Sequence, residues 1–169
     1  NTGVMRLEIR NIFAAWKKPY NSDVFIRCQV ANEDGWQDIF RRTPGPFLYM
    51  RDQYGNIYDS CSTGPPPQVS VEEAGPLRAC ICIKGYHVMR QGQHFCPYIL
   101  RIHLFAGKSD LRIYHTFIFD QEPHQIELRA IGMKFPLNLG DNLRAAIGGE
   151  KHSHWAKNWE KMDFLQEDN

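Results

Sequence analysis

Apolar and polar positions alternate along most of this chain. Met5, Leu7 and Ile9 interleave with Arg6, Glu8 and Arg10, the period of a half-buried strand. Ile12–Trp16 continues into a neighbouring strand before Lys17-Lys18-Pro19, and Val24–Val30 alternates again. Trp36–Phe40 follows the polar turn Asn32-Glu33-Asp34-Gly35. Thr43-Pro44-Gly45-Pro46 is a turn, since proline and glycine cannot both sit inside a ladder. Phe47–Asp52 and Ile57–Tyr58 form a hairpin around Tyr54-Gly55-Asn56. Ser60–Pro67, with Gly64-Pro65-Pro66-Pro67, is an extended connector, and Val69–Glu73 and Leu77–Val88 are strands. Gly92–Cys96 reads as a loop, and Gln125–Asn138 as a last strand region kinked at Gly132 and Pro136.

The strongest alternation lies in Tyr98–Phe119. Two strands, Tyr98–Phe105 and Leu111–Phe119, flank Ala106-Gly107-Lys108-Ser109-Asp110. Arg101 and His103 share one face, and closing the hairpin over five residues sets Arg101 opposite His115. A guanidinium and two imidazoles then converge on one patch of sheet, an arrangement suited to an anion. Some ten strands with turn signals every 8–12 residues predict an all-β antiparallel β-sandwich. The sandwich is expected over residues 1–142. Residues 143–169 read as an irregular or short-helical C-terminal tail, because Trp155, Trp159, Met162 and Phe164 fit neither period.

Composition narrows the function classes. At 43% hydrophobic, 23% charged and a net charge of +1, the chain is globular and carries no basic footprint for nucleic acid. No run of about 18 apolar residues offers a membrane span. The chain opens Asn1-Thr2-Gly3 with neither methionine nor signal peptide, as a processed or excised segment would. Five cysteines, Cys28, Cys61, Cys80, Cys82 and Cys96, leave at least one thiol unpaired and match no zinc spacing. His152-Ser153-His154 lacks a fixed scaffold for a metal, so no metal site is expected.

Four stretches together resemble the β-super-sandwich of polysaccharide lyase-like proteins, especially the exo-acting rhamnogalacturonan lyase type. They are Asn1-Thr2-Gly3-Val4-Met5; Val71-Glu72-Glu73-Ala74-Gly75-Pro76-Leu77-Arg78-Ala79 leading to Lys84-Gly85-Tyr86-His87; Tyr98–Ser109 closing on Tyr114-His115-Thr116-Phe117; and Ile131-Gly132-Met133-Lys134-Phe135-Pro136-Leu137. The resemblance implies carbohydrate processing outside the cytoplasm, in a secreted or periplasmic protein. It departs in length: such enzymes pair the sandwich with an α/α-barrel or toroid, for which 169 residues leave no room. A further domain of the same protein is therefore an expected partner, beside an acidic polysaccharide.

Lyase chemistry on a uronate needs a cation to neutralise the carboxylate and a base for the C5 proton. Arginine suits the first task through its planar, permanently charged fork; histidine or tyrosine suits the second. Arg101, His103, His115 and Tyr86 are the catalytic candidates, with Tyr114, His87, Trp36 and Trp155 as substrate-binding candidates. Elimination of this kind needs no organic cofactor and leaves room for a structural calcium ion. The plainer alternatives are specific. Arg101 could anchor the sheet through Glu72 or Glu73, and His115, among Leu111, Ile113, Phe117 and Phe119, fits a hydrogen-bonded core histidine. Tyr86 and His87 point to opposite faces, as do the adjacent Glu72 and Glu73, which argues against a two-carboxylate hydrolase. Two readings follow. One is a lyase-like module acting on a uronate-containing polysaccharide; the other is a non-catalytic carbohydrate-binding or structural sandwich that supports another domain.

Overall fold

A computed structural model describes residues 3–9, 25–40, 46–61, 67–89 and 91–138, and the backbone alone of 25–26, 144–148 and 153–157. Every regular element among them is a strand: β1 (Met5–Ile9), β2 (Phe25–Asn32), β3 (Gly35–Asp38), β4 (Phe47–Asp52), β5 (Ile57–Asp59), β6 (Gln68–Ala74), β7 (Arg78–Met89), β8 (His94–Phe105), β9 (Leu111–Phe117), β10 (Leu128–Lys134), β11 (Arg144–Gly148) and β12 (Ser153–Lys157). The fold is all-β and sandwich-like, as the alternation predicted. The strand expected over Ile12–Trp16 lies outside the described residues. Contacts divide the chain into residues 1–137 and 138–169.

The described residues of the first unit form two antiparallel sheets. A three-stranded sheet runs β1-β2-β3, and a seven-stranded one runs β10-β4-β5-β7-β8-β9, with β6 pairing β7 beside that path. Burial follows the alternation closely. On β8, Tyr98, Leu100, Ile102 and Leu104 are buried, whereas Ile99, Arg101, His103 and Phe105 face the other way and are half-buried. The inner residues join Ile83 and Leu48 from the large sheet and Met5 and Cys28 from the small one in a single core. That shared cluster, with each sheet contributing its apolar face, makes the layers a sandwich.

The β8 strand begins at His94, so residues 94–96 belong to the ladder instead of the expected loop. Its entry is irregular. Cys96 carries a positive φ of 20°, and the β7–β8 register shifts between Tyr86 and His87. Pro97, unable to donate to a ladder, sits beside that bulge, where a proline is tolerated. A second cluster of Met50, Tyr58, Phe95 and Cys96 packs here, with Tyr58 and Phe95 stacked at 4.0 Å. Asp52, buried nearby, accepts hydrogen bonds from the Tyr54 and Asn56 amides, the Asn56 side chain and the Tyr58 hydroxyl. Burial pushes its pKa upward, but those donors outweigh burial and hold it below the usual range. The Tyr54-Gly55-Asn56 turn is therefore pinned by a charge.

Two strand-interior glycines each face a tyrosine directly across the ladder: Gly85 opposite Tyr98, and Gly132 opposite Tyr49. The rings lie over the glycines, so that a Cβ would meet the Tyr98 hydroxyl at 2.6 Å and the Tyr49 ring at 2.9 Å. The expected kink at Gly132 is instead a place where an aromatic side chain covers bare backbone within β10.

In the second unit, β11 and β12 form an antiparallel hairpin from Arg144↔Lys157 to Gly148↔Ser153. This part of the tail is therefore regular β structure, not irregular chain or a helical turn. Backbone pairing organised it despite an apolar pattern that matches neither period. Trp159, Met162 and Phe164 lie outside the described residues.

Gly85→Ala should destabilise the fold by about 1–3 kcal/mol through overpacking against the Tyr98 ring, although alanine is no worse a strand residue than glycine. Urea denaturation would register this as a lower midpoint at unchanged slope.

Candidate functional site

The outer face of the large sheet gathers several reactive side chains in successive rungs. Arg101 lies opposite Cys82 on β7 and Tyr114 on β9; His103 lies opposite Cys80 and Arg112; Phe105 lies opposite Arg78. Side chains paired directly across an antiparallel ladder share a face. The Arg101 fork is occupied: its Nε and Nη2 donate to Glu72 at 2.8 and 3.0 Å. Arg78 pairs likewise with Glu73, from Nε at 2.9–3.0 Å and from Nη2. Cys80 Sγ lies 3.6 Å from Glu72 Oε2 and 3.8 Å from His103 Nε2, and the His103 and Tyr114 rings meet edge to face at 5.3 Å.

Glu72 and Glu73 both reach guanidinium groups of this face. Strict alternation would have sent them apart, but the β6–β7 register shifts between Val71 and Glu73, and a bulge breaks the alternation locally. Two-carboxylate hydrolysis is nevertheless disfavoured, for a different reason than spacing. Hydrogen bonding from Arg101 holds Glu72 down to about 2, and hydrogen bonding from Arg78 lowers Glu73, so neither is protonated to act as an acid near neutrality. Burial raises the Cys80 and Cys82 pKa values, with the Glu72 hydrogen bond adding to the effect, and both thiols stay protonated.

His115 is not part of this patch. The observed register sets it opposite Leu100, not Arg101, on the inner face with Ile113 and Leu111. There its ring lies 5.6 Å from that of His87 and 6.5 Å from that of Tyr98, both buried. His87 Nδ1 hydrogen-bonds the Cys96 carbonyl at 2.8 Å, whereas Nε2 of His87 and Nε2 of His115 have no hydrogen-bond partner. Burial lowers His87, and burial followed by the His87 charge lowers His115 to about 4. Both imidazoles are neutral at physiological pH, His87 fully buried and His115 half-buried on the inner face, away from Arg101.

The remaining candidates are dispersed. Tyr86 is on the outer face, 43% exposed and stacked on His94 at 4.8 Å, while His87 is fully buried, so the pair splits as the alternation required. Tyr114 is 56% exposed. Trp36 belongs to β3 of the small sheet, and the Arg6 guanidinium covers its ring at 3.8 Å. Trp155 is in β12, opposite Ala146, where only the backbone is described. His152 lies outside the described residues. Among the described residues, no three His, Cys, Asp or Glu side chains are gathered to hold a metal ion, and no helix is long and apolar enough to cross a membrane. All five cysteines are free thiols. One residue of this face, Arg112, escaped the sequence reading. Its two-residue spacing from Tyr114 was visible, but its place beside His103 depends on the register.

Known proteins give these faces a context. The family model described as the PcRGLX-like protein central beta sandwich domain matches residues 51–160, and the chain belongs to that rhamnogalacturonan lyase-like family. A curated relative, the uncharacterized protein YetA of Bacillus subtilis (strain 168), is 28% identical over 88 residues, which is half of this chain and a tenth of YetA. No solved structure matches.

The buried imidazoles predict a sign for acid sensitivity. Both have folded-state pKa values below the unfolded value of about 6.5, so the unfolded chain binds protons first. Stability is full above about pH 6.5 and should fall as pH drops toward 4; the contribution from Glu72 and Glu73 is lost only below about pH 4.5. Urea midpoints between pH 7.5 and 4 should show this slope, and His115→Phe should flatten it.

Proposed function

We propose that this domain contacts an acidic polysaccharide through the outer face of its large sheet, and supports another domain of a longer protein without cleaving the chain itself. One observation carries the reading. The neutralising arginine and one of the two expected bases do not meet: Arg101 is clamped by Glu72 on the outer face, and His115 is half-buried and neutral on the inner face. What stays open is a surface suited to sugar. Tyr114 exposes a ring on which an apolar sugar face can stack, and the half-buried His103 beside it offers a hydroxyl partner. Membership of a lyase-like sandwich family supports a carbohydrate ligand, and the family's description as a central domain fits a supporting role. The chain spans about a tenth of YetA, which agrees with a module within something larger. Under the same reading the protein acts outside the cytoplasm, secreted or periplasmic, and binding needs no cofactor.

A second reading, β-elimination by this domain, rests on His103 and Tyr114 standing 5.3 Å apart on one open face, as a base and an acid would. The same samples separate the two. Affinity electrophoresis through gels containing uronate polysaccharides should retard the folded chain, and Tyr114→Ala should weaken retention by about tenfold, the scale of one lost stacking contact. Absorbance near 235 nm, where an unsaturated uronate absorbs, should stay flat. A rise abolished by His103→Ala would establish the lyase instead, and absence of retention on every polymer would refute the binding role.

A further inference from the structure

Around His103 and Tyr114 on the outer face, one guanidinium group among the described residues is left without a carboxylate. Three guanidinium groups stand on neighbouring rungs there, those of Arg78, Arg101 and Arg112. Two carboxylates answer the first two, Glu73 and Glu72. Among the described residues no carboxylate pairs with Arg112, whose guanidinium carbon lies 5.3 Å over the Phe105 ring. A guanidinium packed on an aromatic face keeps its N–H edge free for a bidentate acceptor. Arg112 is exposed, directly opposite His103 and two residues from Tyr114 on the same face of β9. Lys84, another cation of this face, belongs to the rung of Ile99, two rungs and two strands away, and Arg51 and Lys134 lie farther off, on β4 and β10.

We propose that Arg112, with His103 and Tyr114 beside it, forms an anion subsite that takes the carboxylate of a uronate residue. The proposal rests on the reading of this face as a carbohydrate surface and adds the group that makes it selective for acidic sugar. Arg101, the residue the sequence favours for this task, is already neutralised internally, so an incoming carboxylate would have to displace Glu72. At Arg112 no protein group has to leave. The phenol of Tyr114 is placed to stack on the ring that carries the carboxylate, and the His103 imidazole to meet a hydroxyl.

The test compares affinity for polygalacturonate with affinity for the same polymer after its carboxyl groups have been reduced, using the whole chain. Wild-type protein should prefer the charged polymer by about tenfold or more, the scale of a charge-assisted bidentate contact. Arg112→Gln should bring the two affinities to within about twofold, and Arg112→Lys should restore part of the preference because charge returns without the fork. Arg129→Gln, which removes the same charge from β10 at the far edge of the sheet, should leave the preference intact. Circular dichroism melts should be unchanged by Arg112→Gln, since the side chain is exposed. Equal binding of both polymers by wild type, or a preference that survives Arg112→Gln, would overturn the subsite while leaving the carbohydrate surface standing. Binding of neither polymer would overturn both.

Discussion

The pairing register of β8 with β9 is the constraint on which the rest of this domain depends. Tyr98, Leu100, Ile102 and Leu104 fill the core, and their partners on β9 are Phe117, His115, Ile113 and Leu111. Moving β9 by one residue would put Tyr114 and Arg112 inside and expose Ile113 and Leu111. Each large apolar side chain kept from water contributes roughly 1.5–3 kcal/mol. An ionic contact between Arg101 and a neighbour on this half-exposed sheet contributes far less. The apolar face therefore chooses the register, and the polar face accepts the company this gives it.

Bulges then modify what alternation alone would produce. The one in β6 brings Glu72 and Glu73 to a common face, and the resulting ion pairs bind β6 to β7 and β8. The one between Tyr86 and His87 adjoins the positive-φ residue Cys96, whose carbonyl takes the His87 hydrogen bond. Near it, His87 and the half-buried His115 each keep one buried ring nitrogen without a hydrogen-bond partner. Such groups are tolerated because a neutral imidazole costs far less to bury than a charged one.

The two faces consequently divide the work. The inner face holds the two sheets together through its apolar side chains. On the outer face the internal ion pairs use up Arg78 and Arg101, while Tyr114, His103 and Arg112 remain open to solvent to different degrees. Arg101 and His115, on opposite sides of the same sheet, therefore cannot act on one group together.

Period-two alternation and turn chemistry were enough to identify most strands of the first unit, the turn at Tyr54-Gly55-Asn56 and the all-β class, because each is a local property of backbone and side-chain polarity; they missed the start of β8 and the β11–β12 hairpin. The splitting of Tyr86 from His87 was legible for the same reason, whereas the choice of Glu72 over Glu73 as the partner of Arg101 was left open. Placing His115 beside Arg101 was not: loop length limits a hairpin's register without selecting it, and a shift of one residue reverses every side chain. The joint orientation of Glu72 and Glu73 depended on a bulge in β6, visible only in its pairing with β7. Sequence thus determined which residues could face the core. Only tertiary packing decided which of the charged ones would meet, because that choice is made by the apolar contacts on the opposite side of the sheet.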